Sequence, residues 1–154
     1  GIRESSRYGI LAGFPCVDFR TTLDFGSYHS VDSSEMAFKT AGSIAFKAAA
    51  KDAGPVLLEP IMKVSVKVPD ANTGDIMGDL NSRRGRVLGM DSEDDKQIIN
   101  ALVPMSEMLR YAPDLSSMTG GRGTFTMEFA QYDEVPPDLA KKIIDQVNAE
   151  KENA

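Results

Sequence analysis

The chain has 154 residues, 42% of them hydrophobic, with 17 Lys+Arg against 23 Asp+Glu and a formal charge of −6. That length holds one or two domains with a buried core, and the apolar content excludes disorder throughout. The single cysteine, Cys16, excludes an intramolecular disulfide and a cysteine-cluster zinc site, and the single histidine, His29, excludes a multi-histidine metal site.

No apolar run approaches the roughly 20 residues of a membrane-spanning helix, and residues 1–10 carry no apolar signal region. With one cysteine, a reducing, cytoplasmic setting is expected. The acidity is uneven: residues 1–53 are neutral, residues 54–135 carry −5 and residues 136–154 carry −1. Asp91, Glu93, Asp94 and Asp95 supply most of it, so net acidity does not by itself exclude an RNA partner.

Residues 15–23 alternate, Val17, Phe19, Thr21 and Leu23 against Cys16, Asp18, Arg20 and Thr22, which predicts a half-buried strand. A connecting loop, residues 24–31, follows. Asp32 as N-cap with Glu35 three residues on predicts a helix over 32–52, packed through a stripe of Met36, Phe38, Ala41, Ile44, Ala45 and Ala48. Gly54 and Pro55 end this first segment.

Met62, Val64, Val66 and Val68 alternate with Lys63, Ser65 and Lys67, a strand with one wet face. Residues 70–83 read as a helix with Gly85 as its C-terminal cap. Residues 86–90 and 97–103 read as strands joined by the acidic loop 91–95. A helical pattern over 105–118 is interrupted by Pro113. A last strand, residues 124–129, is expected to turn Phe125, Met127 and Phe129 inward. Four strands and two helices in the order βαββαβ give an α+β domain of ferredoxin-like arrangement. Pro137 then opens a helix to about residue 150, whose Leu139, Ile143, Ile144 and Val147 should dock on the body.

Residues 120–123 (Gly-Gly-Arg-Gly) lack the Lys-Ser/Thr ending of a P-loop and read as a turn into the last strand. Cys16 and His29 have no orienting third group and read as a packed thiol and a loop histidine rather than a catalytic pair. Arg83, Arg84 and Arg86 form the one basic cluster. A helix C-terminus favours such cations structurally, and guanidinium groups also suit phosphate oxygens; the spacing leaves both readings open. The wet sheet face has no aromatic platform on which bases could stack.

Three stretches carry a family resemblance: residues 26–39 (GSYHSVDSSEMAFK), 58–62 (LEPIM) and 74–85 (GDIMGDLNSRRG), continued by 123–129 (GTFTMEF) and 134–136 (EVP). Together they resemble bacterial elongation factor G over essentially the whole chain. The resemblance implies that residues 1–53 are the C-terminal part of domain IV, a partial α/β domain similar to domain 2 of ribosomal protein S5. It also implies that residues 54–135 are the ferredoxin-like domain V and residues 136–154 the C-terminal helix.

What the resemblance implies for function is a ribosome-binding fragment of a translational GTPase promoting tRNA–mRNA translocation. A paralogue serving recycling or rescue is the alternative. Its partners would be rRNA, stalk-base proteins and the tRNA–mRNA of the decoding centre, with no membrane and no DNA. Ser27, Tyr28, His29 and Ser30 fall on the family's decoding-centre tip loop, and Arg83, Arg84, Arg86 and Arg122 are candidate rRNA contacts. No cofactor is expected in this chain, since GTP and magnesium belong to a domain of the parent that it lacks, and the fragment is expected not to be an enzyme. Over residues 113–122 the chain departs from the family pattern, with Pro113 for a usual threonine and without an arginine and a glutamine usual there.

Overall fold

A computed structural model describes all residues from Gly1 to Ala154. In chain order the elements are α1 (Ile2–Ser5), α2 (Glu35–Asp52), β1 (Leu58–Pro69), a 3-10 turn (Asp70–Asn72), α3 (Thr73–Ser82), β2 (Arg86–Glu93), β3 (Lys96–Pro104), α4 (Met105–Met108), α5 (Tyr111–Thr119), β4 (Thr124–Glu134) and α6 (Pro137–Glu152). They group into two compact units, one of Gly1–Leu57 with Val135–Ala154 and one of Leu58–Glu134.

In the first unit, α2 starts at Glu35, three residues later than the capping pattern suggests. Asp32 and Ser33 donate their backbone N–H groups to the His29 carbonyl, at 3.3 and 3.0 Å, and so close a turn instead of opening the helix. Ser34 becomes the N-cap, its hydroxyl accepting from the Ala37 N–H at 3.1 Å. The expected apolar stripe does not pack: Met36, Phe38, Ala41, Ile44, Ala45 and Ala48 are exposed, and the buried side chain is Phe46. α1 lies against the other face, where Ile2 approaches Gly42 and the Ser5 hydroxyl donates to Ser43 Oγ at 2.7 Å.

The strand expected over 15–23 does not form. Alternation creates a strand only when a neighbour pairs with its backbone, and no strand of the chain runs beside this segment. Val17, Phe19 and Leu23 are consequently exposed, although Phe19 lies 5.5 Å from the Phe46 ring. The unit's other core joins Ala12, Leu57 and Val135 to the α6 stripe of Leu139, Ile143, Ile144 and Val147. The helix docks through the expected stripe, and it does so within the first unit, on Leu11, Ala12 and Leu57.

The second unit is a four-stranded antiparallel sheet of order β2-β3-β1-β4. Met62, Val64, Val66 and Val68 of β1 meet Ile99, Ala101 and Val103 of β3 beneath Ile76, Leu80, Met108, Tyr111 and Leu115 of the helices. This is the α+β, ferredoxin-like arrangement read from the sequence. The acidic loop is tighter than expected, a turn through Asp94 and Asp95, with Asp94 at φ +54°. The helical stretch 105–118 breaks at Leu109 and Arg110, not at Pro113. Pro113 is the third residue of α5, where a helix has no intrahelical use for the missing N–H.

Two further expectations need correction. Of the three β4 side chains expected to face inward, only Phe125 reaches the core, edge-on to Tyr111 at 5.0 Å. Met127 and Phe129 are exposed, because β4 is an edge strand that outruns its helix cover. At the end of α3 the left-handed residue is Arg84, at φ +59°, not Gly85. The Gly85 N–H donates to the Leu80 carbonyl at 2.8 Å and that of Arg84 to Asn81 at 3.2 Å, a Schellman closure. Glycine is required at 85 for space: a Cβ there would stand 2.5 Å from the Leu80 oxygen.

Candidate functional site

Ser27, Tyr28, His29 and Ser30 form an exposed segment leading into α2. His29 is anchored through its backbone. Its N–H donates to Ser33 Oγ at 2.8 Å, while its carbonyl accepts from Asp32 and Ser33. Tyr28 stacks on Phe38 of α2, ring centroids 6.4 Å apart and planes 12° from parallel. The turn closed on His29 and one aromatic stack thus hold a loop whose side chains remain open to a partner. The sequence placed these residues in a loop, and the structure adds what fixes that loop.

The four candidate arginines separate into two kinds. Arg83 uses all three guanidinium nitrogens: Nε donates to Asp79 Oδ2 at 2.8 Å, Nη1 to the Glu107 carbonyl at 2.8 Å and Nη2 to Asp114 Oδ2 at 2.6 Å. Its guanidinium also lies 4.9 Å from the centre of the Tyr111 ring. Arg84 grips Glu59 through Nη1 and Nη2, at 2.6 and 3.1 Å, and reaches Glu107 Oε1 through Nε at 3.2 Å. The hydrogen bonds to Asp79 and to Glu59 raise the pKa values of Arg83 and Arg84 respectively, with burial opposing each shift. Arg86 and Arg122 are exposed and pair with no carboxylate; the one bond of the Arg122 guanidinium is Nε to the Thr119 carbonyl.

Sequence reasoning missed the four carboxylates of this network. Asp79 and Arg83 stand four residues apart on one helix face, a signal that was available. Glu59, Glu107 and Asp114 come from β1, α4 and α5 and had no local signal.

Residues 120–123 form a turn: the amides of Gly121, Arg122 and Gly123 already donate to Ser116, Thr119 and the Thr119 hydroxyl, so none is free to cradle an anion. On the open sheet face, Lys67 pairs with Glu93 at 2.8 Å, and that hydrogen bond lowers the Glu93 pKa. Tyr111 is buried with an unpartnered hydroxyl, and burial pushes its phenol up to about 12. No three of the His, Cys, Asp and Glu side chains are grouped so as to hold a metal ion, and no helix is long and apolar enough to cross a membrane.

The family model described as elongation factor G, domain IV matches residues 1–54, and the one described as elongation factor G C-terminus matches residues 56–143. The second match covers the four-stranded antiparallel sheet and the start of α6. The chain is a member of the elongation factor G family. A crystal structure of a protein from Thermus thermophilus is similar at 46% identity and a TM-score of 0.84, covering 96% of this chain and 22% of that one. The chain thus spans about a fifth of that relative's length.

Proposed function

We propose that this chain is the ribosome-contacting C-terminal part of a translational GTPase that promotes tRNA–mRNA translocation in the cytoplasm. The first unit presents Ser27, Tyr28, His29 and Ser30 to the tRNA–mRNA in the decoding centre. The second unit docks on rRNA and stalk-base proteins of the large subunit. The chain binds and positions, while GTP and magnesium are handled elsewhere in the parent protein. The observation that carries this reading is the His29 loop: family membership supplies the context, and the backbone anchoring of an exposed histidine supplies a preorganised contact.

The test is His29→Ala in the full-length parent. Translocation is expected to slow while GTP hydrolysis proceeds at the parental rate; an unchanged translocation rate overturns the role of His29. The departures over residues 113–122 favour a second reading, a paralogue acting in recycling or rescue. Complementation of an extract depleted of elongation factor G separates the two, since failure to restore translocation selects the paralogue.

A further inference from the structure

We infer that the arginine cluster divides its labour: Arg86 contacts an RNA phosphate, whereas Arg83 and Arg84 are positioning residues that build the turn presenting it. This rests on the large-subunit docking proposed above and names which cation of the triplet takes part in it.

Arg83 and Arg84 cannot turn to an outside phosphate without leaving carboxylates behind. The side chains of Asp79 and Glu59 are only 19% and 13% exposed, and an unpaired, poorly hydrated carboxylate is strongly disfavoured. The local charge also opposes it. Two guanidinium groups stand among four carboxylates, Asp79, Asp114, Glu59 and Glu107, so an approaching phosphate meets net negative charge. The cluster that looks basic along the sequence is acidic in space.

Their bonds run to structure. Arg84, in its left-handed conformation, closes α3 and reaches β1 through Glu59 and α4 through Glu107. Arg83 ties the same turn to α5 through Asp114. β2 leaves this turn at Arg86, whose register opposite Leu102 follows from it.

Arg86 differs in its exposure and in its partners. It is exposed, free of carboxylate partners and at the start of an edge strand. It lines a shallow depression of ≈ 370 Å³ that the Glu59-bound Arg84 also borders, with Ile61, Leu102 and Pro104 as an apolar floor on which a ribose can rest. Asp133 also lines it, and its carboxylate accepts from Gln131 Nε2 at 2.9 and 3.1 Å. One free guanidinium beside an apolar floor suits a single phosphodiester contact.

The experiment measures binding of the intact protein to isolated large ribosomal subunits over a range of salt concentrations. Each phosphate contact contributes about one unit to the slope of log K against log salt. Arg86→Ala is expected to lower the slope by about 1 with melting temperature unchanged. Arg84→Gln is expected to lower the melting temperature and leave the slope of the folded protein as it was. Glu107→Gln, which partly frees Arg84, is expected not to steepen the slope. A wild-type slope in Arg86→Ala overturns the inference. So does a slope lowered by about 1 in Arg84→Gln with melting unchanged, or a steeper slope in Glu107→Gln. If the wild-type protein does not bind the subunit at all, the docking reading itself fails, which is a distinct result.

Discussion

Arg84 and Glu59 meet through two parallel hydrogen bonds, 2.6 and 3.1 Å long, between the turn that closes α3 and the second residue of β1. Glu59 is nearly enclosed, so the pair is more than a surface decoration. Removing Arg84 strands a carboxylate that has little access to water. We expect Arg84→Ala to destabilise the chain by about 2 kcal/mol, in the range for lost hydrogen bonds to charged groups. Arg84→Lys should recover only part of that, since an ammonium cannot reproduce the fork. Urea denaturation of the three proteins checks both statements, and an unaltered midpoint in Arg84→Ala refutes them.

Gly85 should be intolerant of even one added methyl. Its Cβ would sit 2.5 Å from the Leu80 oxygen and 3.1 Å from Val103 Cγ2. Backbone on one side and a packed strand on the other leave nowhere to relax. A loss of about 1–3 kcal/mol is expected for Gly85→Ala, read from a thermal melt. Gly78→Ala, where nothing lies near the added atom, is the control and should be neutral or stabilising within a helix.

The buried Tyr111 phenol makes the second unit alkali-sensitive. Its pKa is raised from 10.0 to about 12 by burial, with the Asp79 charge adding and Arg83 opposing. The folded state therefore holds its proton where the unfolded state has begun to lose it. The stability contributed is fully present below pH 10 and falls as pH rises from about 10 to about 12. Tyr111→Phe should flatten that loss. Because the hydroxyl has no partner, the variant should be at least as stable as wild type at pH 7. Melting curves across pH 7–11 decide it; a less stable variant at neutral pH would mean the hydroxyl is bonded after all.

The first unit should be adhesive when this chain is studied alone. Leu23, Phe25, Val31 and Met36 are each more than 70% exposed, and Phe38 and Ile44 of α2 are exposed as well. Such a concentration of exposed apolar side chains is a contact surface in search of cover. Strong binding of a hydrophobic dye, or association in sedimentation velocity, is expected. A dye-silent monomer would refute it.

The second unit was largely legible because its signals are local and its partners are present. The alternation of Val64, Val66 and Val68 with Lys63, Ser65 and Lys67 forecast both the strand and its wet face. The same alternation over residues 15–23 misled, because Val17 and Phe19 have no neighbouring strand to turn the pattern into a ladder. The α2 stripe misled in the same way: Met36 and Ile44 repeat at helical spacing, yet only Phe46 is buried. For the candidate site, the exposed His29 segment was visible as a loop. The separation of Arg86 from Arg83 and Arg84 was not, since Glu59 and Glu107 are distant in sequence.

Periodicity, capping residues and turn residues act over a few positions, so the chain's own order of residues determined α2, α3, α6, the four strands of the sheet and the exposed loop before α2. Family membership is likewise written in contiguous motifs. What only the tertiary structure decided is which of those elements find cover and which charges find partners. Pairing and neutralisation depend on residues brought together from distant positions, and a local pattern carries no information about its neighbours. Hence a −6 chain with a basic-looking triplet folds into a unit where two arginines are claimed by four carboxylates and Arg86 alone of the triplet is left free.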